Sequence, residues 1–199
     1  RGMMVHSAKW TPEMIRIGNI KDIIPLCGYG VPDEETALFS NEKYATFIFE
    51  NELIPYWEKD GSNTYNQLHF YDLPWPTEVL EQMGEENVKI RITLSYYVKP
   101  SPGYAGRSNK YRYPSATLHF DLKSASESME EFLCRRNKSE GEKRTDNDTN
   151  RWTIKQQRRE QGTVQSDWIE CTAAELASCG QIIVYPGQGW WKERDRKSV

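Results

Sequence analysis

The sequence lacks most of the features that announce a function. No apolar run approaches the roughly 18 residues of a membrane-spanning helix, so no membrane partner is expected. Neither sign of charge dominates: 26 Lys and Arg stand against 29 Asp and Glu, a net charge of -3. That balance gives no basis for a nucleic-acid partner. Histidine is scarce, with only His6, His69 and His119. The four cysteines form no CxxC pair and have no histidine at zinc spacing beside them, so no metal and no cofactor are expected. There is no GxSxG nucleophile signature, and there are no internal repeats. The opening Arg1-Gly2-Met3-Met4-Val5 is too short for a signal peptide and reads as a cut inside a longer protein.

Aromatic residues are plentiful. Seven Trp and eleven Tyr in 199 residues supply core-forming area, since each buried ring removes roughly 150–250 Å² from water. Length allows one domain, or one domain with a fragment of another. With a core of that size, Cys27, Cys134, Cys171 and Cys179 are expected to be free thiols.

Local patterns change along the chain. Residues up to Ala8 are helix-compatible, and Thr11-Pro12-Glu13 is a cap followed by proline at the first helical position, predicting a helix over Pro12–Arg16. The apolar segment from Ile20 is expected to end at Pro25. Asp33 to Leu38 reads as a helix with an acidic first turn. Strands are predicted over Tyr44–Glu50 and Asn66–Asp72, and a helix over Pro76–Met83 stopped by Gly84. Val88 to Val98 alternates strictly, which predicts one buried face and one wet face. Ala116–Leu122 alternates too. A helix is predicted over Ser126–Arg136, an exposed loop over Asn137–Asn150, and closing strands over Thr163–Glu170 and Gln181–Tyr185 around a short helix at Thr172–Ala177. The charged tail Lys192–Lys197 reads as frayed. The fold class is therefore mainly β: an antiparallel β-sandwich, jelly-roll-like, with a few short helices.

Two stretches carry a family resemblance. Met4-Val5-His6-Ser7-Ala8 resembles the end of the second helix after the catalytic serine in subtilisin-like serine proteases. Gly28-Tyr29-Gly30-Val31-Pro32-Asp33, continuing to Ala37-Leu38, is similar to the Gly-x-Gly pattern that closes their catalytic domain. Further blocks resemble a bacterial, intracellular branch with a β-rich extension: His6 to Thr11, Tyr111-Arg112-Tyr113, Ser166-Asp167, Thr172 to Leu176, and Gly189 to Arg194. The resemblance implies that residues 1–40 are the C-terminal remnant of an α/β subtilisin-like domain and that 41–199 form a β-sandwich accessory domain. It also implies a cytoplasmic location, the protein's own upstream protease domain as partner, and a protein or peptide substrate for the parent. The family's catalytic Asp, His and Gly-Thr-Ser motif have no counterpart here, so no catalytic residue is carried over and the chain alone is expected to be inactive. The alternative is a free-standing β-sandwich module that binds carbohydrate or a protein partner.

Other site candidates compete with plainer roles. His69 and His119 sit beside Phe70 and Phe120 and read as half-exposed strand histidines rather than acid/base groups. His6 reads as structural or capping. The pairs Glu34-Glu35 and Glu130-Glu131 are adjacent on helices and do not face each other as paired catalytic carboxylates must. Asp146-Asn147-Asp148 lacks the glycine and distant glutamate of a calcium loop. Tyr104, Arg107, Tyr111, Arg112 and Tyr113 form the candidate binding loop. Trp57, Trp75, Trp152, Trp168, Trp190 and Trp191 would extend it into an aromatic surface, against the plainer role of core packing.

Overall fold

A computed structural model of the chain describes residues 1–38, 45–59, 62–98, 116–124, 127–138 and 151–187. Among the described residues seven strands lie in antiparallel sheets with short helices between them, a mainly β arrangement. Among the described residues no helix is long and apolar enough to cross a membrane. The four cysteines are free thiols. The chain divides into two compact units, each assembled from separated stretches.

The first unit gathers residues 1–50, 89–95 and 145–170. It holds α1 (Gly2–Ser7), α2 (Pro12–Ile15), α3 (Ile20–Cys27), α4 (Glu34–Leu38) and α7 (Gln156–Arg159), with most of β4 (Asn87–Ser95) and β6 (Val164–Thr172). Thr11 caps α2 by accepting from the Met14 N–H, with Pro12 at the first position. Helix α3 runs through Pro25 and closes on Gly28, whose N–H donates to Ile24 O. Proline removes one i→i−4 bond here but does not end the helix at that point. Lys9 and Val31 exchange two backbone hydrogen bonds of 2.9 Å. Gly30, at φ 97°, makes that approach: a Cβ there would lie 2.2 Å from Lys9 O.

Strands β4 and β6 pair with each other. Their side chains meet in opposite order, Lys89 with Glu170, Arg91 with Trp168 and Thr93 with Ser166, as an antiparallel pair requires. Ile90 and Ile92 are buried as alternation predicts. The opposite face is wet only in part: Lys89 and Tyr97 are exposed, while Arg91 and Thr93 are half-buried and hydrogen-bonded. The strand predicted over Tyr44–Glu50 is absent from its described part, 45–50. β propensity measures fit to a half-buried pleated surface, and Phe47, Ile48 and Phe49 stay exposed.

The second unit gathers residues 51–88, 96–144 and 171–199. β1 (Tyr56–Lys59) and β2 (Ser62–Tyr65) pair antiparallel, Tyr56 opposite Tyr65. β3 (His69–Asp72), β7 (Gln181–Pro186) and β5 (Leu118–Leu122) form a sheet in that order. Phe70 lies opposite Ile183, and Phe120 opposite Val184. The central strand buries both faces, and Ile183 and Phe120 are fully enclosed. The unit's helices are α5 (Thr77–Met83), α6 (Met129–Lys138) and α8 (Ala173–Ser178), of which α5 and α8 pack together. Thr172 and Glu175 form a reciprocal capping box at the start of α8. The N–H groups of Ala173 and Ala174 donate to Glu86 O and Gly84 O at 2.9 and 3.0 Å, tying α8 to the end of α5.

Candidate functional site

The densest set of chemical groups lies in the first unit, under β6. Gln165, Ser166 and Asp167 have 0% exposure. Three consecutive polar residues at that depth need partners, because an unpaired buried polar group costs about 1–3 kcal/mol. Asp167 has four. Its Oδ1 accepts from the N–H groups of Ile154 and Trp168 at 2.8 and 2.9 Å. Its Oδ2 accepts from the Lys155 N–H at 3.0 Å and from Arg159 Nη1 at 3.4 Å. The turn that delivers these donors includes Lys155 at φ 72°. The Arg159 guanidinium also stacks 4.5 Å over Trp152. Burial pushes the Asp167 carboxyl up, while the three N–H groups and Arg159 hold it down.

A second branch starts at Ser166. Its Oγ accepts from Arg91 Nε at 2.9 Å and lies 2.8 Å from Thr93 Oγ1. Thr93 Oγ1 is 3.0 Å from His6 Nδ1, which α1 brings across. The Ser166 N–H donates to the Tyr29 hydroxyl at 3.2 Å. Arg91 Nη1 donates to Ala8 O, and the guanidinium lies 5.2 Å from the Trp168 ring. Its Nη2 is buried with no hydrogen-bond partner among the described residues. Lys89 and Trp10 complete the surroundings of Trp168, at 4.4 and 5.1 Å. Burial, then the Arg91 charge, hold His6 below its ordinary value, and burial lowers Arg91 as well. Burial raises the Tyr29 hydroxyl.

These bonds tie α1, β4, β6 and the loop after α3 together within the unit. Ser166 is closed to solvent, and its neighbour Arg91 is a donor that takes no proton. His6 meets Thr93 rather than the serine. In the second unit, the β3–β7–β5 register puts His69 and His119 on opposite faces. His69 Nδ1 lies 3.4 Å from the Tyr71 hydroxyl, and His119 Nε2 lies 3.4 Å from Thr117 Oγ1. Among the described residues no three His, Cys, Asp or Glu side chains are grouped to hold a metal. A cavity of about 280 Å³ in the first unit is lined by Arg1, Met4, Val5, Ala8, Tyr29, Gly30 and Pro32. Its lining has no carboxylate or thiol.

Tyr104, Arg107, Tyr111, Arg112 and Tyr113 lie outside the described residues, as do Asp146-Asn147-Asp148, Trp190 and Trp191. Of the other tryptophans, Trp152 and Trp168 are buried in packing, and Trp75 donates its Nε1–H to Cys179 O at 2.7 Å. Trp57 is exposed. Sequence patterns did not single out Arg91, Thr93, Arg159 or Asp167 as a set. The available signal was Gln165-Ser166-Asp167 inside a strand that resumes with Trp168-Ile169. The chain has no match among family models, curated proteins or solved structures.

Proposed function

We propose that this chain is the non-catalytic C-terminal part of a subtilisin-like serine peptidase whose Ser-His-Asp triad lies upstream of Arg1. Exposed apolar side chains in its first fifty residues carry this proposal. Most of the exposed large hydrophobics among the described residues fall there, including Met4 at 59%, Leu26 at 73% and Leu38 at 61%. Exposed apolar surface of this kind marks a contact with another body, and a preceding catalytic domain fits it. The backbone pairing of Lys9 with Val31, and the glycine it demands at position 30, are consistent with the closing segment of such a domain. A jelly-roll-like sandwich over 41–199 would then stabilise the peptidase or select its substrate. The alternative, a free-standing carbohydrate- or protein-binding module, is favoured by a different observation: residues 1–38 share a unit with β4 and β6 and are bonded to them through His6, Ala8 and Tyr29.

The sequence immediately upstream of Arg1 tests the assignment. A Gly-Thr-Ser motif within roughly 15–30 residues, one or two helix lengths, is expected, and its absence overturns the proposal. The chain itself should not hydrolyse casein. Turnover that survives purification and resists serine-directed inhibitors would refute its inertness.

A further inference from the structure

The buried hydroxyl chain in the first unit has a forced direction. Arg91 can only donate, so Ser166 Oγ accepts from it. The Ser166 proton then needs its own acceptor, because the side chain is at 0% exposure. Among the described residues that acceptor is Thr93 Oγ1, at 2.8 Å. Thr93 in turn passes its proton to His6 Nδ1, at 3.0 Å. This polarity assigns His6 the neutral form with its proton on Nε2; the His6–Thr93 distance by itself leaves the donor open. This tautomer follows from the surrounding hydrogen bonds rather than from the ring's own geometry.

We infer that His6, Thr93, Ser166 and Arg91 form an acid-sensitive latch that holds α1 onto the β4–β6 pair. Protonation of His6 turns Nδ1 from acceptor to donor. Thr93 Oγ1 can receive from both sides, but it must then turn its own proton away from the histidine, and the Nδ1 lone pair that accepted that proton is lost. A new positive charge also appears beside the half-buried Arg91. Among the described residues no neighbouring group neutralises it. From β4 the charged group facing His6 is Arg91 itself. From β6, Asp167 is taken up by three backbone N–H groups and Arg159. From the loop after α3, the Tyr29 hydroxyl is engaged with Ser166. Beside α4, the Asp33 carboxylate pairs with Lys9 at 3.0 Å.

The sign follows from which state takes the proton first. The unfolded or released segment titrates near the ordinary value of 6.5, while the folded site holds His6 below it. Attachment of α1 is complete above that value and weakens as the pH falls beneath it.

Two measurements on the full chain test the latch. Long-range ¹H–¹⁵N NMR at about pH 7.5 should show His6 protonated on Nε2 and bare on Nδ1; the opposite tautomer overturns the inference. Hydrogen exchange by mass spectrometry, corrected for intrinsic rates, should show α1 opening more as the pH falls from about 7.5 to about 5.5. The rise is at most about tenfold per pH unit, the limit for one proton. β7 should not follow it. His6→Gln should flatten the dependence, while His69→Gln and His119→Gln leave it intact. No acid opening in the unmodified chain, or opening that persists in His6→Gln, refutes the latch.

Discussion

The two units solve the same burial problem with different materials. The second encloses Phe120, Phe132, Ile183 and Cys179, groups that need contact and nothing else. The first encloses Ile154 and Ile23 too, but beside them Gln165, Ser166, Asp167, Arg159 and Ser7, against a single buried Asp121 among the described residues of the second; these polar groups lose water and must recover each hydrogen bond. Apolar packing tolerates small changes of shape. A buried polar network specifies one arrangement and fails when one member is missing. The first unit should therefore be the more uniquely ordered and the more brittle, and its stability should respond to pH.

Asp167→Ala should give the largest effect. It leaves Arg159 buried without its carboxylate and strips the N–H groups of Ile154, Lys155 and Trp168 of their acceptor. A loss of about 3–5 kcal/mol is expected from urea denaturation followed by tryptophan fluorescence. Asp167→Asn keeps acceptor capacity and should cost less. Next comes Gly30→Ala, at about 2–3 kcal/mol, because φ is positive and the new Cβ meets Lys9 O. Hydrogen exchange should place that damage at the Lys9–Val31 pairing. In the second unit, Ile183→Val should cost about 1 kcal/mol by the same denaturation, with no dependence on pH between about 5 and 8. Thr172→Ala removes half of the capping box and should cost about 1 kcal/mol or slightly less, read as faster exchange in α8. If Ile183→Val proved as damaging as Asp167→Ala, the contrast between the units would fail.

Much of the element pattern was legible because periodicity and punctuation are local. Alternation located β4 and β5, the Thr11-Pro12 cap located α2, and Gly84 closed α5. The β1–β2 hairpin went unread although Asp60-Gly61 between Trp57 and Tyr65 is a hairpin signal. Helix α7 was missed because Gln156-Gln157-Arg158-Arg159 has no apolar stripe; tertiary contacts of Arg159 hold it. The Phe47-Ile48-Phe49 run misled because propensity cannot supply a neighbouring strand. The polar centre was least visible. Alternation reports which side chains face inward but not that Arg91 finds Ser166 seventy-five positions away, and a charged residue on a strand reads as solvated until its partner is known.

The order β3-β7-β5 also has a consequence in time. The strand in the middle of this sheet is the last of the three to be synthesised. Until residues 181–186 leave the ribosome, β3 and β5 have no shared neighbour to pair with. Loop closure over such sequence distances is slow, and waiting strand edges invite association with other nascent chains. A truncation before Gln181 would thus remove the sheet's template rather than its margin. Chaperone engagement during synthesis should be greatest while β5 is out and β7 is not.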